Sequence, residues 1–227
     1  MNAISRIVMN RLMSRIISQP RPRDAMLRFV FYTEEFVERY DIHPVLPHLS
    51  ADERDAMDRH FKDESSHARA LRKYCQNHGL RIERSAAEDA LIRRSDEGYA
   101  QYLRHLDPKT NRFTPADMYA YYCHVHVQEE LANELYTAVA DTLERHHQHP
   151  KLVMILRAFA RSEVKHQGYA ADFMAKYEAQ LGKSHCRRVL LRTRFDSALS
   201  GLGFFRDFLR LLVDEHEFHP GALAVAL

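Results

Sequence analysis

The chain has 227 residues, and its 33 basic and 31 acidic side chains leave a net charge of +2, so no charge excess marks a nucleic-acid binder. Gly (7) and Pro (8) are scarce, which argues against a many-turned sandwich or barrel, and a hydrophobic share of 45% excludes a disordered chain. Three distant cysteines, Cys75, Cys123 and Cys186, exclude a disulfide framework, a CxxC zinc site and a rubredoxin-type iron site, while 15 histidines are an unusual endowment.

Residues 1–23 read as an amphipathic helix. Ile4, Ile7, Val8, Leu12 and Ile16 recur at helical spacing with Arg6, Arg11 and Arg15 between them. Arginines inside the apolar stretch exclude a signal-peptide core. Docking on the body or on a second subunit is favoured over a membrane-surface helix or a transit peptide, because such stripes usually bury on protein. No apolar run approaches the ~20 residues a membrane span needs.

Four helices are then expected between residues 24 and 180. The first runs from Asp24 to Tyr40, closed by Pro44 and Pro47, with Leu27, Val30, Glu34 and Val37 inward and Arg28, Tyr32, Glu35 and Arg39 facing solvent. The second begins at Ser50, which makes a capping box with Glu53, and stops at Asn77-His78-Gly79. Its stripe is Met57, His60, Phe61, Glu64, His67, Ala68 and Leu71. A long crossover follows, with a helix somewhere in 83–106. The third helix opens at Thr114-Pro115 with Met118, Tyr122, Val125, Glu129, Ala132, Tyr136, Ala140 and Leu143 on its stripe. The fourth follows Pro150, with Leu152, Leu156, Phe159, Glu163, His166, Ala170 and Phe173. Residues 184–218 suggest one or two C-terminal helices, broken at Gly201 and Gly203, ahead of an apolar tail. The whole is expected to be a single all-α domain.

Each central helix thus aims one Glu into the core: Glu34, Glu64, Glu129 and Glu163. Buried carboxylates are costly unless something pairs with them. Two helices add a His one turn on, in Glu64-Ser-Ser-His67 and Glu163-Val-Lys-His166, so that oxygen and nitrogen leave the same face. Four carboxylates and two imidazoles suit two divalent ions; a polar core of Glu–His pairs without metal is the competing interpretation. A third match, Glu144-Arg-His-His147, lies off the stripe beside His146 and His149 and is expected at a solvated loop edge.

Glu, Glu-x-x-His, Glu, Glu-x-x-His over four helices resembles the ferritin-like di-iron carboxylate superfamily, from Asp24 to about Tyr177. The resemblance implies a four-helix bundle with a long helix 2 to helix 3 crossover and extra helices at both ends. It also implies that Glu34, Glu64, His67, Glu129, Glu163 and His166 are metal ligands, with Glu64 and either Glu129 or Glu163 as bridging candidates. Asp63 repeats an Asp-Glu-x-x-His variant in which the Asp accepts a hydrogen bond from a ligand His on the opposite helix; Ser162 stands at the equivalent place on the fourth. His60 extends the motif to His-x-x-x-Glu-x-x-His and is either a seventh ligand or a satisfied core histidine. Tyr122 and Tyr136 read as core, and His124 and His126 as exposed.

Two complete Glu-x-x-His pairs, with Ala132 where rubrerythrin-type peroxidases carry a further Glu, look like the oxygen-activating branch. That branch implies two iron ions per chain (manganese as the other candidate), O2 as co-substrate and oxidation of a C–H or N–H group. A monooxygenase-like oxidoreductase acting by hydroxylation, desaturation or N-oxygenation is therefore expected. A ferroxidase or metal-handling protein without an organic substrate is the alternative, and a dimanganese catalase a further one. The expected partners are an unidentified organic substrate, an electron-donor protein and a second copy in a homodimer. No DNA and no membrane contact of the N-terminal helix is expected, and the thiols point to the cytoplasm.

Overall fold

The computed structural model describes residues 3–38, 45–94 and 114–216, and all regular structure among them is helical. The helices are α1 (Ala3–Ile17), α2 (Pro20–Glu38), α3 (Ala51–Asn77), α4 (residues 86–94), α5 (Pro115–Arg145), α6 (Pro150–Leu181) and α7 (Lys183–His216), with a 3-10 turn at Leu46–His48. The all-α expectation holds. Tyr40, Pro44, the crossover beyond residue 94 and the apolar tail lie outside the described residues.

Local chemistry sets the helix ends. Ser50 caps α3 in a full capping box: its hydroxyl accepts from the Glu53 backbone N–H, and the Glu53 carboxylate accepts from the Ser50 N–H at 2.7 Å. Thr114 and Asp117 repeat the device at α5, followed by Pro115. Gly79 (φ +64°) and Gly182 (φ +83°) supply the left-handed backbone that ends α3 and α6.

α5 packs most extensively on α6, α3 packs on α2 and α6, and α7 lies along α5 with contacts to α2 and α6. Two apolar clusters result. One gathers Leu27, Val30 and Phe31 of α2 with Leu71 of α3, Tyr136 to Leu143 of α5 and Leu152 to Ala160 of α6. The other gathers Met57 of α3, Met118 to Val125 of α5 and Ala170 to Tyr177 of α6. Pairing the late part of α5 with the early part of α6, and the reverse, makes them an antiparallel pair. The inward Glu residues fall between the two clusters. The described part of α1 is packed rather than free: Leu12, Met13, Ile16 and Ile17 are buried against α2 and α5.

Two expectations are corrected. Arg28 and Tyr32 are buried, because α4 and the strand of chain before it cover that face of α2. The Arg28 guanidinium reaches Glu88 at 2.7 Å, and the Tyr32 hydroxyl donates to the Ile82 carbonyl at 2.6 Å. The second concerns α7, which is unbroken through Gly201 and Gly203. Each helical glycine costs about 1 kcal/mol relative to alanine, which the packing of Phe204, Phe208 and Leu212 on the body offsets.

Candidate metal centre

Seven side chains from four helices converge at the seam between the apolar clusters. α2 supplies Glu34, α3 supplies His60, Glu64 and His67, α5 supplies Glu129, and α6 supplies Glu163 and His166. All are buried except Glu129, which is half-buried. They fall into two groups of potential metal ligands, Glu34–Glu64–His67–Glu163 and His60–Glu64–Glu129–His166, with the ligand atoms of each group within 4.8 Å of one another.

The two oxygens of Glu64 serve different groups. Oε1 lies 3.1 Å from His166 Nδ1 and 3.2 Å from His60 Nε2, while Oε2 lies 3.5 Å from His67 Nδ1. Glu163 is disposed likewise, with Oε1 3.6 Å from His67 Nδ1 and Oε2 2.9 Å from His166 Nδ1. Glu34 stands on the His67 side at 3.3 Å, and Glu129 on the side of His60 (3.2 Å) and His166 (3.8 Å). Two carboxylates therefore span the groups and two end them.

The surroundings aim the rings. The His166 Nε2–H points to Asp63 Oδ2 at 3.4 Å, leaving Nδ1 toward the carboxylates. His67 stacks on Phe159 with ring centroids 4.0 Å apart. His60 Nδ1 is hydrogen-bonded to the Tyr169 hydroxyl, whose own proton faces Met57 Sδ at 3.9 Å, so Nε2 is the atom turned to Glu64 and Glu129. Tyr169 stands three residues after His166, one turn further along α6, and nothing but that spacing marked it in the sequence.

Titration behaviour follows from this crowding. Burial pushes Glu34 up to about 8 and Glu163 up to about 9. Burial also acts on Glu64 and Glu129, but the imidazoles close beside them outweigh it; Glu64 falls below the usual carboxylate range and Glu129 to about 2. His67 and His166, which burial alone would lower, rise to about 10 and about 12 because carboxylates crowd their ring nitrogens. Protons hold the cluster together where cations are absent. Even so, both oxygens of Glu34, His60 Nε2, Glu64 Oε1, His67 Nδ1 and Glu163 Oε1 are buried without a hydrogen bond of good geometry among the described residues. Such groups are costly. A hard-to-borderline divalent ion with oxygen and imidazole ligands fits the donor set, and the residues could hold one in each group.

The six ligand candidates read from the stripes are thus brought together, with His60 added as a seventh. Glu144 and His147 stand apart: Glu144 is exposed on Arg157 at 2.6 Å, His147 is exposed at φ +53°, and His146 meets Ser14 Oγ at 2.7 Å. His124 and His126, expected exposed, are half-buried, and His126 Nδ1–H donates to the Gln167 carbonyl at 3.3 Å. Tyr122 and Tyr136 both belong to the apolar core as expected, and the Tyr136 hydroxyl lies 3.3 Å from Thr33 Oγ1. No helix of the described residues is long and apolar enough to cross a membrane. Comparison of the chain with family models, with curated proteins and with solved structures finds no match.

Proposed function

We propose that the chain is a ferritin-like di-iron oxidase or oxygenase, with α2, α3, α5 and α6 as its four-helix bundle. The observation that carries this is the pair of carboxylates, Glu64 and Glu163, each with one oxygen toward either ligand group. That disposition suits two ions sharing carboxylates better than one ion or a set of private ion pairs. Two ferrous ions held there would supply electrons to O2, so that an organic C–H or N–H group is oxidised while an outside donor protein restores the ferrous state.

The chain's own residues do the rest. Glu34 and His67 would hold one ion, Glu129, His166 and His60 the other, with Glu64 and Glu163 between them. Asp63 and Tyr169 keep His166 and His60 turned inward. The apolar clusters on either side exclude water, which strengthens each ionic interaction within the seam. Manganese fits the same donors, and metal content decides between them. A homodimer in a reducing cytoplasm completes the proposal: Leu191, Phe195, Leu199 and Leu202 form an exposed apolar stripe on α7, and all three cysteines are free and buried.

The test is oxygen uptake by anaerobically Fe(II)-loaded protein. About one O2 consumed per two bound Fe(II) is expected, lost in Glu129→Ala and Glu163→Ala. Bound Fe(II) that stays ferrous in air would contradict the proposal. Continued oxidation of a large excess of Fe(II) would favour the ferroxidase alternative.

A further inference from the structure

A cavity of about 780 Å³ adjoins the cluster, with His60, Glu64, Glu129 and Glu163 in its wall. Its other walls come mainly from α5 and α7, with α2, α3 and α4 completing them. Phe29, Phe61, Leu91, Val125, Leu135 and Phe204 make the lining predominantly apolar. Two small residues are part of the lining, Ala132, one turn after Glu129 on α5, and Gly201 on α7, where an added Cβ would meet nothing within 4 Å. The volume is that of a site for an organic molecule rather than for O2 alone.

The charges in the wall define what kind of molecule. Outside the cluster the ionisable groups are Arg94, His124, Asp196 and Asp207. Arg94, the only Lys or Arg in the wall among the described residues, lies 3.3 Å from Asp207 Oδ2, and Asp196 stands 3.6 Å from Arg192. Burial lowers His124 to about 4, so it adds no cation at neutral pH. Five side chains of the described wall are carboxyl groups, Glu64, Glu129, Glu163, Asp196 and Asp207. Against them stand Arg94, held by Asp207, and His60, 3.2 Å from both Glu64 and Glu129, so no unengaged cation faces the cavity among the described residues, while Thr33, Gln128, Ser197 and Ser200 provide neutral hydrogen-bonding groups.

We propose that this cavity binds an uncharged, largely apolar small molecule beside the cluster and discriminates against carboxylates and phosphates of the same skeleton. As a substrate site it rests on the di-iron reading; as a binding site it does not.

The experiment is calorimetric titration of 1-decanol and decanoate into metal-free protein and into anaerobically Fe(II)-loaded protein. Decanol is expected to bind both forms, and decanoate to bind the metal-free form roughly tenfold more weakly or not at all, since its charge would be buried unpaired. Ala132→Phe and Gly201→Leu, which add bulk to the α5 and α7 parts of the lining, should each weaken decanol binding roughly tenfold. Helical content and iron count should be unchanged in both. Equal or tighter decanoate binding to metal-free protein, or decanol binding unaffected by both variants, would overturn the proposal. Decanol binding without iron uptake would leave the cavity standing and remove the di-iron reading.

Discussion

Glu64 belongs to both groups of four, whereas Glu163 belongs to the His67 group and reaches the other through His166 at 2.9 Å, so the neighbours of Glu64 divide the consequences of substitution. Glu64→Ala is expected to abolish tight binding of both ions. Glu34→Ala removes a ligand from one group only and is expected to leave one ion per chain on His60, Glu129 and His166; metal analysis after anaerobic dialysis distinguishes the two outcomes. Protons compete for the same atoms. Burial raises Glu34 and Glu163 to about 8 and about 9, and His67 stands at about 10 despite burial because the carboxylates of Glu34 and Glu64 lie 3.3 and 3.5 Å from its Nδ1. Metal must displace these protons, so affinity should rise from pH 6 to pH 8, with proton release seen as a buffer-dependent binding enthalpy. The metal-free fold holds more protons at these groups than the unfolded chain does. Their contribution to its stability is complete below the unfolded values and is lost as pH rises through 8 to 10. Urea unfolding of metal-free protein should therefore weaken from pH 6 to pH 9, and the loaded protein should change less.

Within single elements, the sequence was most informative where one helix face meets one core. Ser50, Glu53 and Gly79 announced α3 residue by residue, and Glu53 shows why its start is firm. Its carboxylate accepts from Ser50 and from the Tyr177 hydroxyl at 2.7 Å, with Lys176 at 3.4 Å. These contacts outweigh burial and hold its carboxyl below the ordinary value. The stability it contributes is present above pH 4.5 and lost as pH falls through the lowered value, and Glu53→Ala should cost about 2 kcal/mol by chemical denaturation. Periodicity failed on α2 because that helix is covered twice, by the bundle and by α4, so Arg28 looked like a solvated arginine. Its guanidinium is instead buried on Glu88, which also caps α4 through Ser85. Arg28→Ala, which takes the guanidinium away from the buried Glu88 carboxylate, should destabilise by about 3–5 kcal/mol, and the double substitution Arg28→Met, Glu88→Met should recover most of that loss.

At the scale of the whole molecule, the polar seam lies between two buried apolar clusters, so the helices can hold costly groups at the candidate ligand positions. The ligand candidates were legible because carboxylates interrupt otherwise apolar stripes at matching heights. The cavity was not, since its far wall is built by α7, which carries no recognisable motif and whose glycines suggested a break. Tyr169 was equally hidden, being one aromatic among several on α6. Ion binding across the seam should tie α2, α3, α5 and α6 together and stabilise the fold by about 2.7 kcal/mol at a free metal concentration one hundred times Kd. The most direct test of the dinuclear account is an anaerobic Fe(II) titration of metal-free protein followed by counting of iron per chain. Two irons per chain in the native protein, none in Glu64→Ala and one in Glu34→Ala are predicted. A single iron in the native protein, or two retained without Glu64, would contradict it.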